Sequence, residues 1–154
     1  MRENPWTISD KRIQISYPKY SWEKLGVSTE KDSRVNEGPV FLCKEGKLSL
    51  VYSASGCWSQ FYRLGLIEFI GNDFSADSVL DTDNWKKHTE PIFAAANKVY
   101  GVGHCSFFNS PDGTETWMAY HGMSTPDAGE EGRYAYLQKI EFDENNLPVL
   151  DKPL

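Results

Sequence analysis

The sequence predicts an all-β protein, because strand-like alternation is repeatedly interrupted by turn motifs. The segment YAYLQKIEF (134–142) places its Tyr, Gln, Ile and Phe side chains on one face of an extended strand, and KLSLVYSA (47–54) alternates in the same way. Turn motifs occur at KEG (44–46), SPDG (110–113) and DENNLP (143–148). No window combines a helical apolar stripe with capping residues. We therefore expect strands throughout.

The composition is that of one globular domain with an excess of aromatic residues. The chain has 154 residues, of which 40% are hydrophobic and 25% charged, enough for a single core. Aromatic residues make up 14%, with five Trp and eight Tyr. Such side chains suit sheet packing, and they equally suit the binding of sugars. The excess alone does not choose between the two.

Charge and hydropathy argue against two classes of partner. The net charge is −6 and there is no basic run, so no nucleic acid is expected as a partner. No apolar stretch reaches membrane-spanning length, so no membrane is expected. The N-terminal MRENPWTISD lacks the apolar core of a signal peptide. Localisation stays open between cytoplasmic and, if preceding sequence carries a signal, secreted.

An internal repeat relates the two halves of the chain. Aligning Glu37 with His104 also brings Gly46 over Gly113 in the turn that follows. The later matches are Tyr52-Ser53 with Tyr120-His121, YRLGLIEF (62–69) with AYLQKIEF (135–142), which pairs Leu64 with Leu137, and the closing segments EPIF (90–93) with LPVL (147–150).

Units of about seventy residues with four short strands are typical of β-propeller blades. The repeat predicts one blade at 34–93 and another at 101–154, with 1–30 ending a preceding blade and connecting it to the next. The inner strand of a blade begins at the propeller axis, so Glu37 and His104 are both expected to face it. Closure takes at least four blades. Two blades and a closing strand therefore need further blades, from another chain or copy or from missing sequence.

Four segments resemble the second half of family 43 glycoside hydrolases, particularly the α-L-arabinofuranosidase type. They are VNEGPVFLCKEGKLSLVYSASGCWSQFYRLGLIEF, DNWKKHTEPIF, VYGVGHCSFFNSPDGTETWMAYHG and GRYAYLQKIEFDENNLPV. The similarity extends over nearly the whole chain, with the motifs in the family's order. It implies a five-bladed β-propeller that hydrolyses α-L-arabinofuranosyl or β-xylosyl linkages with inversion, acting on arabinose- or xylose-containing oligosaccharides from plant polysaccharides such as xylan.

The resemblance also implies roles for three residues. Glu37 matches the family's general acid in its N-E-G-P motif, and His104 matches the His that lies near the axis, beside the sugar, and helps hold a central cation or its waters. Arg133 matches an Arg that contacts the sugar at the cleaved end. The resemblance implies no cofactor for the chemistry and a structural Ca²⁺ or other cation at the axis. The family's base and its tuning Asp match nothing in this chain.

Inverting hydrolysis needs a protonated acid and a base roughly 6.5 to 9.5 Å apart, so this chain is expected to hold half of the mechanism. Each candidate residue also has a simpler interpretation. Glu37 could be a solvated turn residue, His104 a core histidine and Arg133 a solvated arginine. Trp58 either stacks on a sugar ring or has no role, and His121 is given no role.

The alternative function is a non-catalytic carbohydrate-binding or assembly module. The sequence does not separate arabinofuranoside from xyloside specificity.

Overall fold

The computed structural model describes residues 12–26 and 33–154, and these form two four-stranded antiparallel sheets. The strands of the first sheet are β1 (Asn36–Lys44), β2 (Lys47–Ala54), β3 (Arg63–Phe69) and β4 (Trp85–Lys87). Those of the second are β5 (Tyr100–Asn109), β6 (Thr116–Met123), β7 (Arg133–Phe142) and β8 (Pro148–Val149). In both sheets the spatial order follows the chain. The prediction of two propeller blades is confirmed.

The predicted turns join neighbouring strands. Glu45 and Gly46 connect β1 to β2, and both have positive φ angles, 47° and 81°, as a two-residue hairpin turn requires. Between β5 and β6 the Gly113 N–H donates to the Ser110 carbonyl at 2.8 Å. The Asp143 carboxylate accepts from the backbone N–H groups of Asn145 and Leu147, which closes the turn before β8.

Helical structure in the described ranges is limited to short pieces. These are α1 (Ala76–Val79) and single 3-10 turns at Ser21–Glu23, Thr82–Asn84 and Glu130–Gly132. None of these segments has the length and apolar character to cross a membrane.

The main core lies between the two sheets. Strand β5 packs against β1, β2 and β3, so the inner strand of the second sheet covers one face of the first. The buried side chains of this layer are Leu42, Val51, Leu64, Leu66, Phe93, Val99, Val102, Cys105, Met118, Tyr120, Ile140 and Leu150. The predicted inward face of β7 is confirmed, because Tyr136, Ile140 and Phe142 belong to or pack on this cluster.

The opposite face of the first sheet is partly covered by the segment 12–26. Its Ile13, Ile15 and Trp22 side chains pack on a second cluster that includes Leu50 and Ile67. Residues 12–19 form neither a helix nor a strand. The proposed assignment of 1–30 to a preceding blade falls partly on 1–11 and 27–30, outside the described residues, and stays a prediction.

Two details of the repeat were wrong. The first blade closes with β4 at 85–87, whereas in 90–93 only Phe93 makes a bridge, to Leu64. Pro91 has no N–H to donate to a ladder, which disfavours a regular strand there. Leu64 and Leu137 are also not equivalent. Leu64 is fully buried opposite Ser53, whereas Leu137 lies on the outer face of β7 and is 62% exposed.

A buried carboxylate ties the segment 12–26 to the first sheet. Glu23 is fully buried and forms an ion pair with Lys87. Its carboxylate also accepts from the backbone N–H groups of Lys19 and Tyr20, the Tyr52 hydroxyl and the Asn36 amide, at 2.7 to 2.9 Å. Burial alone would raise the pKa of Glu23, but Lys87 and these hydrogen bonds outweigh it, so the pKa lies below its ordinary 4.5.

We expect Glu23→Gln to lower the free energy of unfolding by roughly 3 kcal/mol, because it leaves the Lys87 ammonium buried without a counter-charge. Urea unfolding followed by circular dichroism measures this. Because the folded pKa is depressed, the stabilisation by Glu23 is complete above pH 4.5 and is lost as the pH falls through the folded value. The difference between parent and variant should therefore shrink in acid.

Glu115→Gln is the matched control, because Glu115 pairs with Lys139 at a site where both side chains are more than a third exposed. Its effect should stay within about 1 kcal/mol. Equal urea midpoints for the parent and Glu23→Gln at neutral pH would contradict the stabilising role of the buried Glu23–Lys87 pair.

Candidate active site

Glu37 lies at the start of the inner strand of the first sheet, immediately before a β-bulge. It pairs across to Ser53 on β2, and the register shifts between Glu37 and Val40. Gly38, inside the bulge, has a φ of +53°, a conformation that favours glycine. Glu37 is half-buried, and it is one of the residues that border a cleft of about 490 Å³ beside the segment 12–26. The residue is thus partly accessible to solvent.

His104 occupies the corresponding bulge of the second sheet, one residue out of step with the predicted alignment. Strand pairing places Gly103 opposite His121, just as Glu37 is opposite Ser53. His104 therefore corresponds to Gly38, and its φ of +50° is close to that of the glycine. The prediction that Glu37 and His104 are equivalent was wrong by one position, because a bulge shifts the register in each inner strand.

The two bulges nevertheless meet. A Cβ placed on Gly38 would lie 3.4 Å from the His104 ring, so this ring rests directly on the backbone that follows Glu37. The backbone N–H of His104 donates to the Ser53 hydroxyl at 2.8 Å. A non-glycine residue at positive φ is uncommon and needs support from its surroundings, which this hydrogen bond provides.

Tyr62 connects the two sheets at the site. It ends the loop between β2 and β3, is fully buried, and its hydroxyl donates to Glu37 Oε1 at 2.8 Å. Its ring fills the space where a Cβ on Gly103 would be. Burial, together with the neighbouring Glu37, raises the pKa of Tyr62, although the Ser53 hydroxyl acts in the opposite direction. The Tyr62 hydroxyl therefore keeps its proton and acts as a donor.

His121 stacks on Tyr62, with ring centroids 5.4 Å apart and an interplanar angle of 6°. Its ring lies 6.4 Å from that of His104. Burial, together with Arg133 and His104, lowers the pKa of His121 to about 4, so the imidazole is neutral at neutral pH. Its buried Nε2 has no hydrogen-bond partner in the described part of the chain. The earlier interpretation of His121 as a residue without a role missed this position.

Arg133 begins β7 on the same side of the site. Its guanidinium pairs with Glu130 at 3.0 Å, and Glu130 also accepts from the Cys57 thiol at 3.5 Å. Burial, followed by Glu130 and Glu37, raises the pKa of Cys57, while Arg133 acts in the opposite direction. Glu37 and Arg133 thus lie close enough to Cys57 to influence the pKa of the same thiol. Within the described residues, the buried Nε of Arg133 has no hydrogen-bond partner.

Trp58 belongs to the same loop as Cys57 and Tyr62 but is less tightly held. It is 40% exposed, and its indole packs over the backbone of Gly56. No ring contact joins Trp58 to another aromatic side chain in the described ranges. Trp58 is therefore accessible to solvent.

A cation at the axis would need ligands beyond those described. His104 lies beside His121, but no three His, Cys, Asp or Glu side chains within 12–26 and 33–154 converge on one point. His104 therefore stays a predicted ligand, acting directly or through water. No step of the chemistry is derived through a metal.

The residues that the sequence interpretation missed are Ser53, Tyr62 and His121. The repeat had already aligned Ser53 with His121, and strand pairing puts these two opposite Glu37 and Gly103. Cross-strand neighbours of a candidate residue were therefore an available signal. Tyr62 gave no such signal, because a loop brings it to the site.

Comparison with known proteins assigns the family. The model for glycosyl hydrolases family 43 matches residues 2–148. The extracellular exo-α-(1→5)-L-arabinofuranosidase of Streptomyces avermitilis is 35% identical over 98% of this chain and 31% of its own length. α-L-Arabinofuranosidase 43 of Humicola insolens is 31% identical over 99% of this chain and 31% of its own length.

The fold agrees with the same assignment. The crystal structure of α-L-arabinofuranosidase from Lactobacillus brevis superposes with a TM-score of 0.83 at 29% identity, covering 99% of this chain and 46% of that chain. The chain spans less than a third of the length of the curated relatives it matches. With the family model matched over nearly all of its residues, the chain belongs to glycosyl hydrolase family 43.

Proposed function

We propose that this chain carries the acid half of an arabinofuranoside-cleaving hydrolase, with Glu37 as the general acid. The observation that supports the proposal best is the setting of Glu37. One carboxylate oxygen accepts a hydrogen bond from the Tyr62 hydroxyl, and Glu37 itself is only half-buried. A carboxyl group that is fixed at one oxygen and reachable from solvent suits proton donation to a bound substrate.

In the proposed reaction, the protonated Glu37 gives its proton to the glycosidic oxygen as the bond between that oxygen and the anomeric carbon breaks. The bonding electron pair leaves with the oxygen, which departs as a hydroxyl group. A base takes a proton from a water molecule, whose oxygen attacks the anomeric carbon from the opposite face. The product sugar has inverted configuration.

We propose that the base and the tuning carboxylate come from residues outside this chain. Glu130, the other carboxylate described at the site, is paired with Arg133, and its side chain is 61% exposed. An acid held by a guanidinium at the surface is poorly suited to activating a water across from Glu37. The lengths of the curated relatives leave ample sequence to supply both groups.

The remaining site residues have supporting roles in this proposal. Arg133 contacts the sugar at the cleaved end through its guanidinium, whose side chain is 24% exposed and pairs with Glu130. His104 faces the sugar and, directly or through water, a central cation. Trp58 is exposed enough to stack on a sugar ring. The substrate class is an arabinofuranosyl linkage, with a β-xylosyl linkage as the alternative.

The names of the relatives bear on substrate and location. Two of the curated relatives are extracellular exo-α-(1→5)-L-arabinofuranosidases. These names favour an α-L-arabinofuranosyl linkage as the substrate. They also favour secretion over a cytoplasmic location for the whole protein.

We further propose that additional blades pack on the two outer sheet faces. On the first sheet, Phe41 is 59% exposed. On the outer face of the second sheet, Phe108, Leu137 and Val149 are 45 to 62% exposed. Apolar sheet faces of this kind normally pack against a neighbouring layer. A blade from another chain, another copy or the rest of a longer chain would cover them.

The chain alone should hydrolyse 4-nitrophenyl α-L-arabinofuranoside at close to the uncatalysed rate, because it lacks the base. Adding, as a separate chain, the part of the Lactobacillus brevis enzyme that this chain does not match should restore turnover. In that mixture Glu37→Gln should lower kcat by about 10²- to 10⁴-fold, because the proton donor is lost. Release of 4-nitrophenolate measures all three rates.

Glu45→Gln is the control, because Glu45 lies in the β1–β2 turn at the far end of the hairpin. Turnover by the chain alone at the rate of a complete relative would contradict the absence of the base. Calorimetry with arabino-oligosaccharides tests the alternative function. Binding that survives Glu37→Gln, with no hydrolysis in any mixture, would support a non-catalytic module.

The outer face of the second sheet should make the isolated chain self-associate, because closure into a propeller is incomplete. Leu137→Lys should reduce the average mass in sedimentation velocity by placing a charge in that face. Leu154→Lys is the control, since Leu154 is 80% exposed at the C-terminus and outside both sheets. The proposed blade contact would be contradicted if the parent chain stayed monomeric at concentrations on the order of 100 micromolar. It would also be contradicted if the two variants changed the average mass equally.

A further inference from the structure

We propose that Tyr62 is a positioning residue that holds Glu37 by one oxygen and leaves the other free to deliver the proton. The inference rests on the proposed role of Glu37 as the acid. Tyr62 donates to Oε1 at 2.8 Å. No other hydrogen bond to the Glu37 side chain occurs in the described ranges, so Oε2 is left for the proton and the substrate.

The ring of Tyr62 is fixed on two sides by the second sheet. On one side Gly103 has no side chain, and a Cβ there would overlap the Tyr62 ring. On the other, His121 stacks nearly parallel to it. Because Tyr62 itself belongs to the first sheet's loop, its hydroxyl position depends on how the two sheets pack. The orientation of Glu37 is therefore set by the second blade as well as by its own.

The loop that carries Tyr62 is also held by its own hydrogen bonds. The Tyr62 N–H donates to the Ser59 carbonyl at 3.3 Å, and the Ser59 hydroxyl donates to the Gly56 carbonyl at 2.8 Å. The Phe61 N–H donates to the Ser59 hydroxyl oxygen at 3.2 Å. A ring that is fully buried on a loop held in this way has little freedom to follow Glu37 if the carboxyl group moves. Glu37 must take the position that the hydroxyl offers.

The direction of the hydrogen bond matters for the chemistry. A tyrosine hydroxyl that donates to Oε1 occupies a lone pair of that oxygen, so the proton of the neutral acid resides on Oε2. Without the hydroxyl, either oxygen could carry the proton and the side chain could rotate. Only a fraction of molecules would then be poised for proton transfer.

A second buried tyrosine provides a matched comparison. Tyr52 donates to the carboxylate of Glu23 at 2.9 Å, so both tyrosines make the same type of hydrogen bond. In the chain labelled with ¹³C at tyrosine Cζ, Glu37→Gln should shift the hydroxyl proton and Cζ resonances of Tyr62 and leave those of Tyr52 in place. Glu23→Gln should do the reverse. An unmoved Tyr62 signal in Glu37→Gln would overturn the proposal.

Tyr62→Phe tests positioning directly, because it removes the hydroxyl and keeps the ring on Gly103 and His121. The Glu37 side-chain carboxyl ¹³C resonance of the chain should shift and broaden as the group samples several rotamers. Tyr120→Phe is the control, since its buried hydroxyl lies near Gln138 in the second sheet. A Glu37 resonance that responds equally to both variants, or to neither, would overturn the proposal.

In the mixture that shows turnover, Tyr62→Phe should lower kcat roughly 10- to 100-fold, the value of one hydrogen bond to a charged group, with KM changed less than about threefold. An unchanged kcat for Tyr62→Phe beside an inactive Glu37→Gln would overturn the positioning role while keeping Glu37 as the acid. A fully active Glu37→Gln would instead overturn the proposed function, and the tyrosine spectra would still decide whether the hydrogen bond forms.

Discussion

Apolar packing between the two sheets brings β1 and β5 together, and the site depends on that contact. Val51 and Leu64 of the first sheet and Val102 and Met118 of the second are completely buried in this layer. Burial of side chains of this size stabilises by about 1.5 to 3 kcal/mol each. Both inner strands carry a bulge at the same edge of the layer. Groups that are a whole blade apart in sequence therefore meet there.

The same tyrosine–carboxylate hydrogen bond occurs twice in the structure, in two different surroundings. Tyr52 and Tyr62 are both buried and both donate to a glutamate. Glu23 is fully buried beside Lys87, so its charge is compensated and it can only stabilise the packing of the segment 12–26. Glu37 has no ion pair among the described residues and is only half-buried. The difference lies in the surroundings, since an accessible carboxyl group without a fixed cation can exchange its proton with a substrate.

Features of the fold that depend on residues close in sequence could be predicted, whereas features set by contacts between distant strands could not. The hairpin at Gly46 followed from turn chemistry, and the inward face of β7 followed from alternation, because both depend on neighbouring residues. The closing strand at 85–87 was misplaced, since its position is set by pairing with β3. The one-residue offset of His104 had a similar origin, because a bulge changes which residues face each other without leaving a clear mark in the sequence.

The sequence by itself determined the fold class, the two blades and the family, and it pointed to Glu37, His104 and Arg133. Local periodicity, turn residues and motif order are enough for these. Only the tertiary structure decided that Tyr62 holds Glu37, that His121 stacks on Tyr62, and that Gly103 must lack a side chain. These contacts join a loop of one sheet to strands of the other. They arise from the way two twisted sheets pack, a relation that no spacing along the chain encodes.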